Sequence, residues 1–148
     1  MQAIFSLISQ DLGYIHGERE SGPNGAKKQF HTKSAAFLRA LGNDLGLKAF
    51  EVNKNYGGIA VSGEITLMGM WSDGNGVYFQ INQPLRPFSS FLYRGISHMK
   101  DFSGGPNHWM DCALFEAGDY DAALDMLLAL RKTPEEDTKL KVVDQYVA

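Results

Sequence analysis

Cysteine is nearly absent. Cys112 is the only one in 148 residues, so no internal disulfide can staple the fold. Stability must come from packing, and a domain of about 150 residues buries roughly 70% of its unfolded-chain surface, enough for a core of its own. A lone thiol also fits a reducing compartment. Long apolar runs are missing too: nothing approaches the roughly 20 residues that span a bilayer. The opening MQAIFSLISQDLGYIHG lacks the basic start and apolar stretch of a signal peptide. The expectation is a cytoplasmic protein with no membrane association. There is no CxxC and no HExxH, the spacings by which zinc sites announce themselves, and no cofactor is expected. RNP, KH and helix-turn-helix signatures are also absent.

Charge is distributed unevenly. The net charge is −3. Residues 1–110 carry ten Lys and Arg against eight Asp and Glu, while residues 111–148 carry four against nine. Two stretches have no acid at all. One runs from Ser21 to Asn43 with Lys27, Lys28, Lys33 and Arg39; the other runs from Gly74 to Lys100 with Arg86, Arg94 and Lys100. Such zones can attract an anionic partner, and they are equally compatible with ordinary mixed surface charge.

Periodicity supplies the architecture. Ile4, Phe5, Ile8 and Leu12 suggest a short opening helix, followed by a Gly-rich loop over 13–25. In AKKQFHTKSAAFLRALGNDLG, Phe30, Phe37, Leu38 and Leu41 fall on one helical face, and Gly42 or Gly46 can end the helix in the left-handed conformation. Strands are expected next. LKAFEVN precedes the turn KNYGG. In GIAVSGEITLMGMW, Ile59, Val61, Ile65, Leu67 and Trp71 share one face, with Gly63 and Gly69 where another element can approach closely. SDGNG signals a hairpin, and VYFQINQ returns with Val77, Phe79 and Ile81 inward. Pro84 and Pro87 interrupt the ladder, and SFLYRGIS is expected as a fourth, edge strand.

Helices then resume. Pro106 suits a first helical turn, so NHWMDCALFEAG reads as a short helix. Asp119 reads as the N-cap of YDAALDMLLALRK, with Leu124, Leu127, Leu128 and Arg131 on one stripe. GDYDAALDMLLAL resembles one helix of a tetratricopeptide repeat, but no second copy follows at a fixed period. Thr133-Pro134-Glu135-Glu136 is a capping box for a last helix. The whole predicts a single α+β domain over 1–148. Its core is one antiparallel sheet of three to four strands with helices packed on one face, in the order helix, strands, helices.

Chemistry-bearing residues crowd into HMKDFSGGPNHWMDC, residues 98–112. If a helix starts after Gly104-Gly105-Pro106-Asn107, its free amides can cradle an anion, with Arg94, His98, Lys100 and His108 adding donors. Ser21-Gly22-Pro23-Asn24 repeats that composition ahead of the basic helix, and both also read as plain helix-entry turns. His98 with Asp101, or with His108, forms a candidate acid–base pair. His98-Met99-Lys100 begins like the His-x-Lys of phospholipase D-type enzymes, but Gly105 stands where the aspartate should follow. His108 and Cys112 would share a helix face as metal ligands, yet zinc needs at least one more. Tyr78, Tyr93, Phe102 and Trp109 near Arg86, Arg94 and Lys100 offer the rings and cations that a nucleic acid requires, or simply a sheet core.

The basic Ala-rich helix, the strand pair and the segment YRGISHMKDFSGGPNHW together resemble small uncharacterised proteins carried on bacterial plasmids and phages, over Gly25 to Trp109. The resemblance implies an accessory protein acting on host or element machinery, for instance as an inhibitor of a defence complex, and it carries over no functional residue. The leading expectation is a non-enzymatic protein that binds a protein or nucleoprotein partner through Arg94, His98, Lys100, Asn107, His108 and Trp109, helped by Lys28 and Arg39. The alternative is a small phosphate-directed hydrolase or nuclease with His98 or His108 as acid or base.

Overall fold

A computed structural model describes residues 26–55, 63–81, 90–102, 105–111, 113–116 and 119–131. The expected opening helix, the Gly-rich loop, most of the KNYGG turn, Ile59, Val61, Pro84, Pro87, Cys112 and the last helix lie outside the described residues. Helix α1 (Ala26–Asp44) leads into strands β1 (Ala49–Asn55), β2 (Glu64–Met70), β3 (Gly76–Ile81), β4 (Ser90–Ile96) and β5 (His108–Asp111). Helices α2 (Ala113–Glu116) and α3 (Tyr120–Leu128) follow. The strands form one sheet in the order β1-β2-β3-β4-β5, every neighbour antiparallel. No helix among the described residues is long and apolar enough to cross a membrane.

The class is therefore α+β, as the pattern predicts, with five strands instead of three or four. The extra strand comes from His108–Asp111, which the sequence suggests as helix. Proline 106 invites that reading, but Trp109 and Met110 alternate outward and inward, the period of a strand. β4 is consequently not an edge: it lies between β3 and β5.

Helix α1 forms where its stripe demands. Phe30, Phe37, Leu38 and Leu41 are all buried, joined by Ala35 and Leu45. Each such large side chain contributes about 1.5–3 kcal/mol relative to exposure. Gly46, at φ 71°, stops the helix. Its amide donates to Asn43 O and the Leu47 amide to Gly42 O, the paired bonds of a Schellman cap. The chain then turns onto the sheet so tightly that a Cβ on Gly69 would lie 2.6 Å from that of Phe50.

Odd-numbered positions of β2, β3 and β4 face α1 and α3. Ile65, Leu67, Val77, Phe79, Ile81, Phe91 and Tyr93 pack there with Met110, Phe115, Ala123 and Leu127. Trp71 closes one end of this core, its indole N–H donating to Leu45 O at 2.8 Å. α3 is tied at both ends. Tyr120 Oη donates to Asp44 Oδ2 at 2.6 Å, and Arg131 Nε meets Asp73 Oδ2 at 2.7 Å. Asp119 does occupy the N-cap position of α3, but its side chain makes no cap hydrogen bond.

Candidate functional site

The register separates the candidate residues. Tyr93 pairs with His108 and Leu92 with Trp109. Side chains alternate along a strand, so His108 projects to the helix-covered inner face and Trp109 to the outer face. Arg94 pairs with Tyr78 and is also outer. Lys28 and Arg39 are exposed on α1, which covers the inner face over β1 and β2, so the sheet stands between them and Trp109. The structure thus does not gather the eight expected binding residues into one surface.

Arg94 is a correction. It is 6% exposed, with its guanidinium carbon 4.3 Å from the Tyr78 ring centroid and Nη2 donating to Asp101 O at 2.7 Å. Its Nε has no hydrogen-bond partner. A buried cation that stacks on a ring and holds a carbonyl is a structural anchor, not a free contact residue. It draws the loop 97–102 over the outer face. Met99 packs against the small cluster of Met68, Tyr78 and Ile96, and the Lys100 amide sits 2.8 Å from Met68 Sδ. Lys100 takes φ 63° to make that turn, a conformation that side chains other than glycine rarely adopt.

Asp101 is 7% exposed and ties the loop from within. Its Oδ2 accepts from the Ser97 amide at 3.2 Å and from Ser97 Oγ at 3.3 Å. His98 Nδ1 lies 2.9 Å from the same hydroxyl. The carboxylate therefore supports the serine, whereas a catalytic triad needs it on the histidine. His98 and His108 do not meet as an acid–base pair: His108 tilts over the Tyr93 ring at 5.2 Å, on the inner face.

The helix-start anion cradle is overturned as well. Residues 108–111 are strand, and the helix that follows spans only Ala113–Glu116. No bundle of free helical amides points at Gly105-Pro106-Asn107. For the same reason His108 cannot share a helix face with position 112. Among the described residues no three His, Cys, Asp or Glu side chains converge to hold a metal.

What remains exposed is a run of residues from two adjacent segments. Phe102 is 73% and Trp109 63% exposed, with His98, Lys100 and Asn107 also open to solvent. Arg94 links the segments: it holds Asp101, beside Phe102, and lies diagonally across the β4–β5 pair from Trp109. From the sequence, Phe102 is named among the rings a nucleic acid could use but not among the eight expected binding residues.

A cleft of about 740 Å³ opens beside β4 and β5. Its lining includes Tyr93, Gly95, Ser97, Asp101, His108 and Leu130. Burial raises the Tyr93 phenol above its ordinary value, so the hydroxyl stays protonated at neutral pH. No sequence motif marked this cleft. Comparison with protein families, with characterised proteins and with solved structures finds no match for this chain, so its functional reading rests on the geometry of these two surfaces.

Proposed function

We propose that this is a non-enzymatic binding protein, of the accessory kind found on mobile elements, that engages a protein partner through Phe102 and Trp109 with His98, Lys100 and Asn107 at their rim. One observation carries the reading: two large aromatic side chains stand mostly in solvent on neighbouring segments, while the other described Phe, Tyr and Trp side chains are buried or partly buried. Tryptophan is among the residue types that dominate interface energetics. The fitting partner surface has an apolar centre and an acidic rim, to meet Lys100 and His98. A protein is favoured over nucleic acid because Arg94, the strongest phosphate-binding candidate, is already engaged.

The test is partner capture by the full chain, its Phe102→Ser/Trp109→Ser variant and its Lys28→Glu/Arg39→Glu variant. Capture should survive the helix substitutions and fail with the aromatic ones, while the aromatic variant keeps its stability within about 0.5 kcal/mol. Retention by the aromatic variant, or loss by the helix variant alone, rejects the reading. A partner held through phosphates would instead lose about a thousandfold in affinity or more between roughly 50 and 200 mM salt.

A second reading draws on the 2.9 Å contact between His98 Nδ1 and Ser97 Oγ. It makes the chain a small phosphate-directed hydrolase with His98 or His108 as acid or base. Turnover of a simple phosphodiester by the native chain, lost on His98→Ala/His108→Ala, would replace the binding reading.

A further inference from the structure

The cleft beside β4 and α3 is separate from the aromatic patch: neither Phe102 nor Trp109 lines it. Its volume of about 740 Å³ lies in the range of small-molecule sites, roughly 300–1,000 Å³. Ile96, Pro106, Met126 and Leu130 supply apolar wall. Tyr93 and His108, opposite one another across β4 and β5, bring two rings with centroids 5.2 Å apart. β4 adds Gly95, on the same inner face as Tyr93 and paired with Val77. A Cβ on Gly95 would have Gly76 O and Leu130 Cδ2 as its nearest neighbours, each at 3.9 Å and each from another lining residue. A side chain at Gly95 would therefore enter the cleft, at an ordinary van der Waals distance from its walls.

Charge decides which small molecules fit. Among the described lining residues Asp101 is the only acid, and there is no lysine or arginine. Asp101 is already engaged. It is buried, its Oδ2 accepts from the Ser97 amide and hydroxyl, and its carbonyl holds the Arg94 guanidinium. A cation entering would find no free carboxylate, and an anion would find no free cation. A charge of either sign would lose water without gaining a counter-charge, which is costly. An uncharged polar group loses far less, and hydrogen bonds to the lining can offset it. Two side chains can make them. Among the described residues, neither the Tyr93 hydroxyl nor the His108 ring has a hydrogen-bond partner, and Tyr93 is 7% exposed. Buried polar groups are nearly always hydrogen-bonded, so a phenol in this position leaves a bond for whatever occupies the cleft.

We propose that this cleft binds a small uncharged aromatic compound with a hydrogen-bonding group, such as an aromatic carboxamide. Its ring lies against Met126 and Leu130 beside Gly95, and its polar group meets Tyr93 and His108. This goes beyond partner binding and does not depend on it, because Phe102→Ser/Trp109→Ser changes no lining residue.

The experiment is a ¹H–¹⁵N NMR titration of the full chain at about pH 8, above the range in which an ordinary imidazole takes up a proton. The probes share one shape and differ in charge: benzamide is neutral, benzoate an anion and benzamidinium a cation. Benzamide should shift the amides of Gly95, Ser97 and Leu130, and each ion should bind about tenfold more weakly or worse. Cyclohexanecarboxamide, which keeps the amide but has no aromatic ring, should bind severalfold more weakly than benzamide. Tyr93→Phe, which removes only the hydroxyl, should weaken benzamide severalfold as well. Gly95→Val should abolish the benzamide shifts while the rest of the spectrum and the thermal midpoint are maintained. Gly95→Ala, adding one methyl in ordinary contact, should weaken binding severalfold and serves if the valine disturbs the strand. The proposal falls if benzamide leaves those amides unshifted, if either ion or the cyclohexane analogue binds as well as benzamide, or if a folded Tyr93 or Gly95 variant binds it like the native chain.

Discussion

The two faces of the sheet are made from the same strands and meet different fates. On the inner face, Leu67, Phe79 and Tyr93 lie in one cross-strand row under the helices, and Leu67 and Phe79 are fully buried. On the outer face, Met68, Tyr78 and Arg94 form the neighbouring row, and among the described residues the loop 97–102 covers them. Beyond the loop's reach, Trp109 is left in solvent. Two helices can bury a face by area alone. A six-residue loop cannot, so it relies on individual bonds: Arg94 to the Asp101 carbonyl, and Asp101 to Ser97. The inner face therefore holds the fold, and the outer face keeps an aromatic side chain in solvent.

The sharpest challenge to that contrast is Phe79→Ala. Emptying a site between Phe91 and the helices should cost about 3–5 kcal/mol, read as a fall in the denaturant midpoint. A loss under about 1 kcal/mol would mean that the inner face is not the main core. Arg94→Ala comes next. It removes the stacking on Tyr78 and the bond to Asp101 O, and should cost about 1–3 kcal/mol with faster amide exchange confined to residues 98–101. An unchanged stability would return Arg94 to the pool of free contact residues.

The smallest effect is a pH dependence. Burial is the main cause that raises the Tyr78 phenol above its ordinary 10.0, helped by Glu64 and opposed by Arg94. Burial raises Tyr93 on the opposite face. A raised folded-state value means that the native state retains protons which the unfolded chain has released. Stability is then fully present below about pH 10 and declines as pH climbs toward the folded values. Tyr78→Phe should make that alkaline decline shallower, measured as thermal midpoint against pH. An identical slope would show that the loop does not keep Tyr78 from water.

Much of the inner face was legible beforehand. Phe30, Phe37, Leu38 and Leu41 recur at helical spacing, and Ile65, Leu67, Val77, Phe79 and Ile81 alternate. All nine are buried where those periods place them. β5 was not legible, because four residues after a Gly-Pro turn are too few to display a period, and Pro106 favoured the helical reading. The candidate site was legible only as composition. His98, Lys100, Asn107 and Trp109 are indeed exposed, but neighbours in sequence need not be neighbours on one face: His108 and Trp109 are adjacent and point to opposite sides of the sheet.

Read alone, the chain determined which side of each long element turns inward, because a repeating apolar period selects its own buried face whatever it packs against. Only the tertiary structure decided that Arg94 is an anchor, that Trp109 stays in water, and that a cleft forms beside β4 and α3. Each of these depends on how a loop or a distant helix comes to rest over a strand, and no local period encodes that placement.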